Sequence, residues 1–418
     1  MSKLITSALV CASIALAQLP LSAPAQAGAA AAEEKPKRKV QLPSPTVGKK
    51  IGRAFEAYSA EDIDGAIDIL NDIDAKREYD IAYVQYFTGQ MYAMKGKGKE
   101  SLELLEKAIA PDILNEADHA GALKLAADLS MQSEKFPQAI KFYTEWLSFT
   151  GKQDGEVYTR IANAYALNKQ LDKVIEPADK AIAAFGDKLN QNPYILKVSS
   201  YYERKMITEA IDVLEDVVQL FPKEKKWWVM LGQVYIMKEN YTKSLATLDL
   251  AYKLGYLEKE SEIKTLSSLY AQSEMPYKSA LILEKHIASG LVKRDDKNIA
   301  SLANAWHAAL DIDKAAKYYG ELAKMTNLTK HYEKQAVLLK QDEQFKPAIV
   351  AYNKALEGGS KNKGTIYMGL AECHFYLGQY KEAHSAVVKA TDDPKTKRAA
   401  TSWATYIKDT AQRKKVKI

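Results

Sequence analysis

Cysteine and the turn-forming residues are scarce in this chain of 418 residues. It contains two cysteines, and only Cys373 lies beyond the first 27 residues, so no internal disulfide is expected in the rest of the chain. The 13 prolines and 20 glycines are few for this length, which disfavours a sheet protein with many tight turns. No run of 18 apolar residues occurs after residue 27, so no membrane-spanning helix is predicted there.

Motifs for catalysis and metal binding are also missing from the sequence. None of the six histidines pairs with another at the spacing that puts two ligands on one helix face. The nearest approach to a ligand cluster is Cys373-His374 with His384, and a core role is favoured there because free cysteine behaves as a small buried hydrophobe. Residues 96–99 form a Gly-Lys-Gly-Lys stretch that is typical of a turn between helices, not of a phosphate-binding loop. The sequence therefore predicts no enzyme, no cofactor and no metal site.

The first 27 residues have the pattern of a secretory signal peptide. Lys3 precedes an almost uncharged apolar stretch at 4–19, and Ala25-Gln26-Ala27 has the small-x-small form of a cleavage site. Residues 28–47 are rich in Ala, Pro and Lys, and they are predicted to form a flexible basic linker. We therefore expect an exported protein that is released after cleavage.

A two-helix pattern repeats from residue 48 to residue 394. In its clearest unit, Trp228, Leu231, Gly232 and Tyr235 recur at three- and four-residue spacing, and the small residue lets a neighbouring helix approach closely. Of the adjacent pair, Trp228 is assigned to the core and Trp227 is a candidate surface residue. The first large positions of ten units lie 33 to 38 residues apart: Lys50, Gln85, Leu123, Tyr158, Tyr194, Trp228, Ile263, Ile299, Tyr332 and Tyr367.

This pattern resembles the tetratricopeptide repeat (TPR), a helix-turn-helix unit of about 34 residues. The resemblance implies an all-α solenoid, a right-handed superhelix of about ten such repeats with a concave inner groove. Residues 395–418 are predicted to add a solvating end helix that covers the last unit, followed by a basic tail.

In TPR proteins the residue after the small position of the first helix faces the groove. Here that column is mostly polar and uncharged, and amides in a groove can bond the backbone of an extended peptide. The alternative, that these positions are only solvated, stays open. Some TPR groups grip a terminal carboxylate with a Lys and Asn pair; Asn163 matches the Asn, but Thr159 stands in place of the Lys, so we do not expect that recognition. The candidate partner-binding residues are Gln90, Asp128, Asn163, Ser199, Gln233, Ser268, Asn304 and Glu372; Phe55 and Val337 complete the column.

The net charge of +6 hides an acidic array between two basic ends. Residues 28–53 carry seven basic and two acidic groups and residues 395–418 carry eight and one, which leaves −7 for residues 54–394. A nucleic-acid groove would be basic along its length, so nucleic acid is disfavoured as a partner. The basic ends suit peripheral contact with anionic lipid or an acidic partner, with a solvated end as the alternative.

Longer segments are similar to one group of exported TPR proteins, those encoded with the TonB–ExbB–ExbD systems of gammaproteobacteria. The resemblance implies a periplasmic accessory of TonB-dependent uptake, with TonB, ExbB or ExbD components as partners. The alternative is a TPR scaffold for envelope assembly, or for cell-wall or polysaccharide factors. The segments that carry the resemblance are VGKK at 47–50, AYSAED at 57–62, NPY at 192–194, YYERK at 201–205, KKWW at 225–228, MPYK at 275–278, GLVK at 290–293 and ASLANA at 300–305.

Overall fold

The computed structural model describes residues 38–418, and within that range every regular element is a helix. Twenty helices form ten antiparallel pairs and a twenty-first follows them, which confirms the predicted fold class. The predicted signal peptide lies outside the described residues. The helices are α1 Pro45–Ser59, α2 Ile63–Asn71, α3 Glu78–Met94, α4 Gly98–Ile109, α5 Glu116–Gln132, α6 Phe136–Thr150, α7 Gly155–Leu167, α8 Ile175–Phe185 with a 3-10 turn Leu171–Val174 before it, α9 Asn192–Glu203, α10 Ile207–Leu220, α11 Lys225–Met237, α12 Tyr241–Lys253, α13 Glu260–Gln272, α14 Pro276–Ala288, α15 Asp296–Ala308, α16 Ile312–Thr326, α17 Thr329–Gln341, α18 Phe345–Glu357, α19 Lys363–Tyr376, α20 Tyr380–Ala390 and α21 Lys397–Arg413.

The turn inside each pair has the same geometry in all ten units. Its middle residue is left-handed, as at Gly96 (φ 75°) and Glu239 (φ 59°). The next amide then bonds a carbonyl in the last turn of the first helix, as Asn240 N does to Tyr235 O at 2.9 Å. This is the Schellman ending, which satisfies carbonyls that a helix end leaves free. The turn that the sequence predicts at residues 96–99 is therefore one of ten turns with the same Schellman geometry.

The first helix of each unit faces the inside of the array. Three pairs of successive first helices pack on each other, α3 on α5, α7 on α9 and α17 on α19, and no two successive even-numbered helices of residues 38–418 pack as extensively. Neighbours on the inside of a curve lie closer together than neighbours on the outside. The odd-numbered first helices therefore line the groove, and the even-numbered second helices form the outer layer.

The assignment of the tryptophan pair in α11 was wrong. Trp227 is 1% exposed and packs in the core, where its Nε1 donates to Gln191 Oε1 at 3.2 Å, whereas Trp228 is half-buried. The same holds in other units, since Val157 and Ile366 are buried beside half-buried tyrosines at the next position. Adjacent helix residues lie about 100° apart, so when the first of the two residues points into the core, the second lies at the edge of the core and is only half-buried.

A tyrosine and a lysine tie successive units together in the middle of the array. The Tyr235 hydroxyl of α11 donates to the Glu215 carboxylate of α10, and Lys243 of α12 pairs with the same carboxylate at 2.8 Å. The lysine also lies over the tyrosine ring, 5.4 Å from its centroid. Tyr270 repeats the hydroxyl bond one unit on, to Asp249 of α12. The hydroxyl bonds and the lysine–carboxylate pair cross the boundary between two units, and the stability of a solenoid depends on such interfaces.

The structure differs from the predicted flexible linker in its last ten residues. Helix α1 begins at Pro45, and residues 38–44 lie along the start of α3 and the loop before α5. Polar side chains hold them there: Arg38 bonds the Asp112 carboxylate, and Gln41 bonds Asn115. The composition indicated a linker because the segment has no periodic apolar residues. Polar contacts such as these hold the segment without an apolar face.

Helix α21 packs on the tenth unit. Ala400, Ile407 and Ala411 form its buried face, and Trp403 packs edge-on against Phe375 of α19 at 5.6 Å between ring centroids. The basic residues of 395–418 have no carboxylate partner within the described part of the chain. Across residues 38–418, no helix combines the length and the apolar character needed to cross a bilayer.

Candidate functional site

A cleft opens between the neighbouring first helices α9 and α11. Two residues of the predicted column, Ser199 and Gln233, line it together. Beside them stand Tyr202, Met230 and Met237, whose side chains are 50%, 37% and 51% exposed. The cleft encloses about 420 Å³, so polar groups that can bond a backbone lie next to an apolar wall that can bury a side chain.

A second cleft lies two units further on, between α13, α14 and α15. Ser268 and Asn304 of the column line this space of about 540 Å³, with alanines and serines around them. The Asn304 side-chain oxygen accepts a hydrogen bond from the Tyr319 hydroxyl of α16, which leaves its amide nitrogen to donate outward. The small side chains keep the cleft open.

Other column residues are already committed to contacts within the array. Asp128 accepts bonds from Tyr143 and Arg160, and Glu372 pairs with Lys340. These two carboxylates thus hold neighbouring units together, and the structure does not bring them into either cleft. Gln90 is half-buried and donates to the Tyr86 hydroxyl at 2.8 Å, and Asn163 is half-buried on α7.

The sequence analysis missed a second row of groove residues, one helical turn beyond the column. In units two, four, six and ten this position holds a large apolar residue, and Met94, Leu167, Met237 and Tyr376 are all about half exposed or more; unit eight has the smaller Ala308 there. The units between them hold Gln132, Glu203, Gln272 and Gln341, and all four side chains are exposed. The signal was present in the sequence, because each of these residues stands four positions after a column residue.

Within residues 38–418, the remaining reactive side chains lie apart from one another. Burial raises the pKa of the Cys373 thiol to about 11, so the thiolate needed for nucleophilic attack is scarce near neutral pH. His374 lies beside it in sequence but bonds Gln379 at 2.7 Å. No group of three or more potential metal ligands occurs within residues 38–418. Thr159, at the position of the clamp lysine, is buried and bonds Gly155 O at 2.7 Å.

Comparison with known proteins finds a repeat family whose model matches part of the array. A family model described as tetratricopeptide repeat matches residues 196–255, which run from α9 to just beyond α12. The array is a tetratricopeptide-like solenoid. A TPR repeat-containing protein of Methanocaldococcus jannaschii is 22% identical over 331 residues, which is 79% of this chain and 47% of that protein. The chain thus spans about half the length of this curated relative.

Several solved structures match the chain at low sequence identity. Naa15/Naa10 bound to HypK-THB is 12% identical with a TM-score of 0.47, over 87% of this chain and 66% of that one. A tetratricopeptide repeat protein from Parabacteroides merdae is 12% identical with a TM-score of 0.35, over 63% and 99%. YrrB, a TPR protein with an unusual peptide-binding site, is 13% identical with a TM-score of 0.34, over 46% and 97%.

Proposed function

We propose that this chain is a non-catalytic scaffold that binds an extended segment of a partner protein in the groove. The cleft between α9 and α11 carries the proposal, because Gln233 and Ser199 stand there beside an exposed apolar wall. An extended segment offers backbone groups for the amide and hydroxyl to bond and alternate side chains for the wall to bury. Solenoids of this kind use the concave face in this way.

The second row of groove residues predicts the spacing of apolar side chains along the partner segment. Packed helices lie about 8–10 Å apart, so the large apolar residues of units two, four and six recur about every 20 Å. An extended chain rises about 3.3 Å per residue, which places matching apolar side chains about six residues apart. The partner segment that fits the groove is therefore extended, with its backbone free to form hydrogen bonds and with apolar side chains at this spacing.

The finer assignment is to a periplasmic accessory of a TonB-dependent uptake system. Its support is the similarity of segments such as 225–228 and 275–278 to exported TPR proteins encoded with TonB, ExbB and ExbD, together with the signal pattern of residues 1–27. Envelope assembly, or a cell-wall or polysaccharide factor, is the alternative for the same groove.

Affinity capture tests the partner. The chain from residue 28, carrying a tag, is incubated with an envelope extract of the source cells, and retained proteins are identified by mass spectrometry. We expect a TonB, ExbB or ExbD component. Capture of cell-wall enzymes or assembly factors alone would contradict the TonB assignment and favour the alternative.

A triple variant tests the site. Replacing Asn163, Gln233 and Asn304 by alanine is expected to weaken binding of the captured partner by at least tenfold, with little change in helical circular dichroism. The matched control replaces Lys180, Thr242 and Lys317, exposed residues of second helices, and is expected to bind as the unaltered chain does. Equal affinity in both triples would refute the placement of the site in the groove.

A further inference from the structure

Positive charge is concentrated at the end of the array that α21 forms. Residues 395–418 carry eight basic residues and one acidic residue, and all nine side chains are exposed. Within residues 38–418 none of the eight basic side chains forms an ion pair. Arg413, for example, donates to Asp409 O at 3.3 Å and to Thr410 Oγ1 at 3.2 Å, which are both neutral acceptors of its own helix. The array therefore leaves this charge uncompensated.

Apolar and aromatic side chains are exposed at the same end. Tyr406 of α21 is 51% exposed, and Val416 and Ile418 beyond the helix are 40% and 37% exposed. The Tyr406 ring packs against Phe375 of α19 at 5.5 Å between ring centroids, which fixes its position at the surface. Tyr406 and Arg413 are seven residues apart, so they lie on the same face of α21.

The end of α21 positions the residues that follow it. Lys415 is left-handed, with φ 57°, and Val416 N donates to Ala411 O at 2.9 Å. This is the same Schellman ending that the turns between paired helices use, so the direction of the chain is fixed as far as Val416. Beyond that turn, Lys417 separates the two exposed apolar side chains.

Cations that alternate with exposed tyrosine and aliphatic side chains match the chemistry of an anionic membrane surface. Lysine and arginine are attracted to anionic headgroups, while tyrosine and aliphatic side chains enter the boundary between headgroups and acyl chains. An acidic protein surface would need the cations alone. The exposed apolar side chains among them therefore favour lipid.

The charge of the rest of the array limits the contact to this end. Residues 54–394 carry a net charge of −7, so an anionic surface repels them. Salt screens such charges beyond about 8 Å at physiological ionic strength, and packed helices lie about 8–10 Å apart. Acidic residues more than one or two helices from the surface therefore oppose binding weakly, whereas an array lying flat would bring all of them close to the lipid.

We propose that the exposed side chains of residues 395–418, called here the end patch, bind the surface of a membrane that contains anionic lipid. The array then stands with its α21 end on the bilayer. The cleft between α9 and α11 is five units away from that end, so the groove stays open to its own partner. Lipid binding by the end patch and peptide binding by the groove are thus separable.

Flotation with lipid vesicles tests the end patch. The chain from residue 28 is used, because the apolar stretch at 4–19 would itself bind lipid, and the vesicles contain equal parts of phosphatidylglycerol and phosphatidylcholine or phosphatidylcholine alone. We expect binding to the anionic vesicles in 0.1 M salt, where the Debye length is about 10 Å. Binding to phosphatidylcholine alone is expected to be at least tenfold weaker.

A charge variant locates the site within the chain. Glutamine at four basic positions of the end patch is expected to weaken binding to the anionic vesicles at least a hundredfold, since each basic residue near such a surface strengthens binding about fivefold. The replaced residues are Arg413, Lys414, Lys415 and Lys417. The matched control also loses one arginine and three lysines, from exposed positions in the middle of the array, and is expected to bind as the unaltered chain does. Its replaced residues are Lys188, Arg204, Lys205 and Lys223.

An apolar variant distinguishes a lipid surface from attraction by charge alone. Val416→Ser with Ile418→Ser leaves the charge unchanged and is expected to weaken binding to the anionic vesicles about tenfold. Val40→Ser with Leu42→Ser removes two exposed apolar side chains at the other end of the array and is expected to have no effect. Hydrogen exchange of the vesicle-bound chain is expected to slow in α21 and to stay unchanged in α1 to α10.

Three results would overturn the proposal when circular dichroism shows the variants to be folded. The first is equal binding of the two four-residue glutamine variants to the anionic vesicles. The second is unchanged binding of the Val416→Ser, Ile418→Ser chain. The third is an unaltered chain that floats with neither kind of vesicle but retains an acidic protein from the envelope extract that the end-patch glutamine variant loses, because this would assign the end patch to a protein.

Discussion

Small residues at the closest helix approaches determine how each unit packs. Gly232 lies where α11 meets α12, and a Cβ added there would be 2.5 Å from Leu248 Cγ. Ser244 Oγ of α12 donates to Gly232 O at 2.8 Å, which confirms the close approach of the two backbones. The repeat pattern predicted this small position from spacing alone.

Gly232→Ala is expected to lower the free energy of unfolding by about 1–3 kcal/mol, the usual cost of overpacking a core. Thermal and urea denaturation followed by circular dichroism measure it. Gly52→Ala in α1 is the control, because a Cβ there meets nothing within 4 Å and alanine favours the helix. A destabilised Gly52→Ala chain beside an unaffected Gly232→Ala chain would contradict this account of the packing.

Single residues also show where sequence reasoning stops. Spacing predicts the column that contains Ser199 and Gln233, but it placed the wrong tryptophan of α11 in the core. Two adjacent large apolar residues look alike in a sequence, and only the rotation of the helix against its partner distinguishes them. Arg38 gave no signal, because the acceptors around it come from residues about 75 positions away.

Each helix pair depends on its neighbours, and the end helix shows this most clearly. Ile407 of α21 is fully buried against the tenth unit, while Lys408 next to it is exposed. A solenoid distributes stability over nearest-neighbour interfaces. Loss of the end contact is therefore expected to loosen the adjoining pair and spare the distant ones.

Ile407→Ala is expected to cost about 2–5 kcal/mol at that interface. Hydrogen exchange is expected to show faster amide exchange in α19, α20 and α21, with α1 to α10 unchanged. Lys408→Ala serves as the control on the same helix. Uniformly faster exchange along the whole chain would contradict the nearest-neighbour description.

The number of helices could be predicted from the sequence, but the boundary at the N-terminal end of the array could not. The ten units and the end helix follow from period and from apolar faces. The start of α1 at Pro45 and the order of residues 38–44 could not be predicted in this way. A short polar segment is ordered by residues far away in the sequence, and composition does not reveal those contacts.

Buried tyrosines make the whole molecule sensitive to alkali. Burial, with a nearby carboxylate, raises the pKa of Tyr79, Tyr86 and Tyr235 to about 12 from the usual 10. The carboxylate is Asp118 for the first two and Glu215 for the third. The folded state thus favours the neutral phenol, and the contribution of these groups to stability is complete below pH 10 and falls as pH rises from 10 through 12.

We expect the urea midpoint to fall steadily from pH 9.5 to pH 11.5, with tyrosinate absorbance at 295 nm rising together with loss of helix for the buried tyrosines. Tyr235→Phe is expected to reduce the pH dependence, since phenylalanine does not titrate. Full ionisation of every tyrosine near pH 10 in a chain that keeps its helices would contradict the burial described here.

The central claim is that the groove, and not the outer layer, binds the partner. Site-specific photocrosslinking tests it most directly, with p-benzoylphenylalanine placed at Met237 in the α9–α11 cleft or at Leu250, an exposed residue on the second helix α12 of the same unit. We predict that the chain with p-benzoylphenylalanine at position 237 crosslinks to a continuous segment of the partner captured from the envelope extract. Adding Gln233→Ala to that chain is expected to lower the crosslinking yield. Crosslinks from Leu250 with none from Met237 would contradict the claim.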